Sequence, residues 1–66
     1  MSKPTLSAQQ LRDLFERYVF TKDVVQRVFD SVADGPRNPL EKTENVLRRA
    51  MENATDPLDE ARKEQP

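Results

Sequence analysis

Three helix-start signals divide this chain into short amphipathic segments and leave little room for any other architecture. Ser7-Ala8-Gln9-Gln10 has the layout of a capping box, and Leu6 and Leu11 are placed to staple the entry. Thr21 opens a second segment, with Phe20 and Val25 placed the same way. Asn38-Pro39-Leu40-Glu41 combines a capping side chain, a proline at the first helical position and an acid in the first turn.

Each start leads into a three-and-four apolar stripe. Leu11, Leu14, Phe15 and Tyr18 form the first. Val25, Val28, Phe29 and Val32 form the second, with Val24 beside it. Leu40, Thr43, Val46, Leu47, Ala50, Met51 and Ala54 form the third. The second segment holds four valines in nine residues, which are stiff at χ1 in a helix, so tertiary packing must hold it. A tight turn is expected at 19–21. With no Gly or Pro there, a continuous helix over 8–33 is the alternative. Asp34-Gly35-Pro36 is a stop signal for the second helix. Asp56-Pro57 is expected to end the third.

The expectation is an all-α fold, a small three-helix bundle at about 8–19, 22–33 and 39–54. Residues 1–54 would form the single helical domain and 55–66 a flexible acidic tail. Sixty-six residues permit one domain with a thin core, worth roughly 3–5 kcal/mol of net stability. Self-association or folding against a partner is therefore open. Expected outer-face pairs are Arg12–Glu16, Asp13–Arg17, Asp23–Arg27, Glu44–Arg48 and Arg48–Glu52.

Residue inventory limits chemistry. Neither cysteine nor histidine is present, so there is no thiolate, no imidazole ligand and no near-neutral side-chain base. Gly35 is the only glycine, which rules out a glycine-rich phosphate loop. Asp30 and Asp34 read as a charged helix end, and Asp59-Glu60 as solvated tail. No catalytic residue, metal site or cofactor is expected, and the chain is not expected to be an enzyme. No membrane-length apolar run or signal-like leader occurs, so a cytoplasmic protein without a membrane partner is expected. Residues 1–54 carry nine basic and eight acidic side chains and 55–66 carry two and four, so the basic excess usual in DNA-binding domains is absent.

Residues 11–30 have the order of a helix-turn-helix: helix, short turn, Thr21 as cap, second helix. Leu11-Arg12-Asp13-Leu14 through Thr21, together with Val25-Gln26-Arg27-Val28, resembles the DNA-binding headpiece of lactose-repressor-type transcription regulators. In that family a capping Ser or Thr opens the recognition helix and a Val-x-Arg-Val pattern follows. Lys42-Thr43 and Ala50-Met51 sit at a spacing also seen in its third helix, so the resemblance covers 11–30 and 42–51. Phe15 stands where the family has a small residue. Val19 stands where it has glycine, because that position favours positive φ. The resemblance implies a DNA-facing set of Lys22, Gln26 and Arg27, with Arg48 and Arg49 toward phosphate.

Two binding functions are therefore expected as alternatives. The favoured one is a small regulator of transcription, antiactivator or antirepressor in type and bacterial or phage in setting, that binds a protein (a regulator or a second copy). Its surface would be Tyr18, Val19, Phe20 and Val24, where surplus apolar area gathers at the first turn. The other is direct DNA binding, with a homodimer as its form. Each set also has an ordinary role, as core for the apolar residues and as wet helix face for the polar ones.

Overall fold

A computed structural model describes residues 5–33 and 38–64, and its described elements are all helical. In order they are α1 (Ala8–Tyr18), α2 (Lys22–Val32), α3 (Pro39–Asn53) and α4 (Pro57–Lys63).

Capping side chains set each start. Ser7 Oγ accepts from Gln10 N–H at 3.1 Å, and Gln10 Oε1 accepts from Ser7 N–H at 3.1 Å, completing the capping box. Thr21 Oγ1 accepts from Val24 N–H at 3.2 Å, so the chain breaks at 19–21 and does not run as one helix. Asn38 Oδ1 accepts from Leu40 N–H at 3.0 Å, ahead of Pro39. Asp56 Oδ1 accepts from Leu58 N–H at 2.9 Å, ahead of Pro57.

That last cap corrects the three-helix count and the flexible tail. Asp56-Pro57 ends nothing that Ala54 has not already ended; it starts α4. Asn38-Pro39-Leu40 and Asp56-Pro57-Leu58 are the same signal used twice, because proline costs no hydrogen bond at a first helical position. Pro57, Glu60 and Ala61 are buried, and α4 packs on both α2 and α3. The expected stop at Asp34-Gly35-Pro36 lies outside the described residues.

The core gathers Leu11 and Leu14 of α1, Val25, Val28 and Val32 of α2, Val46 and Leu47 of α3, and Ala61 of α4. Leu6, Phe15, Tyr18, Phe20, Val24, Leu40 and Leu58 pack around it. The α2 valines are thus held by packing from the other helices, which offsets their poor helix propensity. Thr43 sits fully buried among them, its hydroxyl donating to the Pro39 carbonyl at 2.7 Å. Two residues of the expected α3 stripe lie outside the core: Met51 is 47% exposed, and Ala54, the left-handed residue that ends the helix, is exposed.

Candidate functional site: the α1–α2 turn and the outer face of α2

α1 ends at Val19, which adopts φ 62, ψ 24. A β-branched side chain in this left-handed region crowds the following carbonyl, at a cost of about 1–2 kcal/mol. Val19 gains no burial in exchange, since it is 82% exposed. Its neighbours differ. Tyr18, Phe20 and Val24 are half-buried and pack against the core. Of the four expected docking residues, three therefore serve packing with part of their surface, and Val19 alone faces solvent.

The expected base-reading residues share the exposed side of α2 with acids. Arg27 Nε lies 3.0 Å from Asp23 Oδ2, the pair expected from spacing. Gln26, half-buried, donates its amide to Asp30 Oδ1 at 2.9 Å. Lys22 is exposed at the first position of the helix. The two α3 arginines each have a partner within the chain. Arg48 donates to Asn45 Oδ1 at 3.0 Å rather than to Glu44 or Glu52, and Arg49 pairs with Glu64 of α4.

Arg12 and Glu16 meet at 3.2 Å as expected. Asp13 instead accepts from the Gln9 amide, and Arg17 reaches across to Glu44 of α3 at 4.0 Å. These exposed pairs contribute little to stability, about 0–1 kcal/mol each. Their arrangement carries more information than their strength. α1, α2 and α4 each hold two bases and two acids, and α3 holds three of each. No helix has a charge surplus.

Glu60 was expected in solvent beside Asp59. It is buried, with Oε1 accepting from Lys63 Nζ at 3.2 Å within α4. A shallow crevice of about 130 Å³ lies between α1 and α3, lined by Gln10, Asp13, Leu14, Arg17, Leu40 and Glu44. It is smaller than the roughly 300–1,000 Å³ typical of small-molecule sites. Among the described residues no three His, Cys, Asp or Glu side chains gather as a metal site, and no helix is long and apolar enough to cross a membrane.

The fold and surface together define a small all-α protein with helix-by-helix charge balance and an exposed, strained valine at the α1–α2 turn. No protein-family model matches the chain, and no curated protein or solved structure matches it either.

Proposed function

We propose that this chain is a non-enzymatic regulatory protein that works by binding another protein through the α1–α2 turn. Val19 is the observation that carries the reading. It holds a β-branched side chain at φ 62 with 82% of its surface in water, where glycine would remove the strain and polar residues would be better solvated. Among the described residues nothing compensates for either cost, whereas an apolar partner surface would bury the methyl groups. Tyr18, Phe20 and Val24 supply the half-buried apolar rim around it. Charge-balanced helices suit a protein surface better than a polyanion. A role in transcriptional control, as an antiactivator or antirepressor acting in the cytoplasm, is the setting the helix-turn-helix layout suggests.

Direct DNA binding is the second reading, and the same residue favours it. A left-handed residue at Val19 followed by the Thr21 cap is the turn geometry that a helix-turn-helix needs. The Asp23–Arg27 and Gln26–Asp30 contacts weigh against it, because base readout would have to break both.

One paired experiment separates the readings. Affinity capture from the native host, compared between the wild-type chain and Val19→Ser, should recover a partner that the variant loses while retaining its helix content. Mobility shift of duplex DNA that collapses as salt rises, and that Gln26→Ala abolishes, would replace this reading with the second.

A further inference from the structure

The surface around Val19 is symmetric in its chemistry. The chain there reads Glu16-Arg17-Tyr18-Val19-Phe20-Thr21-Lys22. An aromatic residue flanks the valine on either side. Three residues out, an acid on the α1 side matches a base on the α2 side. Glu16, Val19 and Lys22 are exposed, and Tyr18 and Phe20 are half-buried. A two-fold contact requires a self-complementary surface of this kind, because it presses one patch against its own copy.

Charge favours a second copy over other partners. Glu16, Arg17, Lys22 and Asp23 surround the turn and sum to zero, so the patch offers no net field to a partner rich in either sign. Three of the four are already engaged. Glu16 holds Arg12 through Oε1, Arg17 reaches Glu44, and Asp23 holds Arg27. Lys22 meets no acid among the described residues. It also stands at the first position of α2, where the positive end of the helix dipole disfavours a cation. An acid brought in from outside the chain would remove that cost.

We infer that the turn is the contact of a two-fold homodimer, which rests on the α1–α2 turn as the binding surface and names its occupant as a second copy of this chain. With the axis at Val19, the last turn of α1 in one copy faces the first turn of α2 in the other. Val19 then meets Val19, and the methyl groups of both strained residues leave water. Each Tyr18 meets a Phe20, and each Lys22 meets a Glu16 of the second copy. Arg17 falls opposite Thr21, so no like charges face each other. The patch is far smaller than the roughly 20–30 residues per side of a standard interface, so association is weak, with a Kd on the order of 100 µM.

The test uses the full chain in sedimentation equilibrium over about 10 µM to 1 mM. The wild-type chain should pass from monomer to dimer across that range. Val19→Ser should stay monomeric with its helical circular dichroism unchanged. Glu16→Lys and Lys22→Glu should each weaken the dimer about tenfold, since two exposed pairs turn from attraction to repulsion. Mixed in equal amounts, these two variants should recover the wild-type affinity, because one copy then carries lysine at both contacts and the other carries glutamate. A nonspecific apolar contact would not produce that recovery. A chain still monomeric at the highest concentration, a dimer that survives Val19→Ser, or a mixture no tighter than either variant alone would each overturn the inference. Should the purified chain stay monomeric while capture from the host yields a different protein that Val19→Ser loses, the homodimer falls and the proposed function stands.

Discussion

Among the described residues, two connections place a non-glycine residue at positive φ, and they do so on different terms. At the end of α3, Ala54 turns the chain with φ 54; its N–H bonds back to the Met51 carbonyl, and Thr55 N–H reaches the Ala50 carbonyl at 2.9 Å. This pair of bonds is a Schellman closure, which satisfies carbonyls the helix end would otherwise leave open. At the end of α1, Val19 turns the chain with φ 62, and among the described residues no such pair closes it. Alanine is also the cheaper residue there, having no branch at Cβ. One turn is accounted for by the fold it closes. The other spends stability on an exposed side chain, and that contrast makes the α1–α2 turn the functional candidate.

The largest expected effect lies on the α4 side. Ala61→Asp puts an unpaired carboxylate at a position with no exposure, costing about 3–5 kcal/mol, comparable with the whole stability of a chain this size. Loss of helical circular dichroism across the chain is expected. A variant that melts only at 57–63 would break the comparison by separating α4 from the core.

Thr21→Ala should cost about 1 kcal/mol by freeing the Val24 N–H, lowering the melting temperature by roughly 4–8 °C. Val19→Gly should act in the opposite direction. Relief of about 1–2 kcal/mol of left-handed strain exceeds the roughly 0.5–1 kcal/mol of added unfolded-chain entropy, so the melting point rises by a few degrees while partner capture falls. Ala54→Gly should stabilise less, by about 0.5 kcal/mol or below, since a hydrogen-bonded closure already holds that turn. Denaturant titrations that ranked Ala54→Gly above Val19→Gly would invert the comparison and remove the reason for singling out Val19.

Much of the helical layout was legible in the sequence because caps are local. Ser7, Thr21 and Asn38 each act on an N–H two or three residues away, so the starts of α1, α2 and α3 could be read without knowing the fold. Asp56 is equally local and equally readable. It also reads as an end, because proline stops a helix as readily as it begins one, and the charged residues after it suggest solvent. The repeat of Asn38-Pro39-Leu40 as Asp56-Pro57-Leu58 was the signal that could have found α4.

The exposed turn was less legible. Tyr18, Val19, Phe20 and Val24 could be grouped from sequence as surplus apolar surface, but their division could not, because exposure depends on how α1 and α2 pack. Arg49 was missed as an inward-facing group for the same reason: its partner Glu64 lies fifteen residues away on a helix that was not expected.

By itself the sequence determined that this chain is helical, where its first three helices begin, and most of the apolar stripe each presents, since these follow from hydrogen bonds and periodicity within a turn or two. The tertiary structure alone decided that α4 docks on α2 and α3, that Glu60 and not Met51 is buried, and that Val19 stands in solvent at a strained turn. Those outcomes depend on which faces meet, and a face acquires its neighbours only when the helices close on one another.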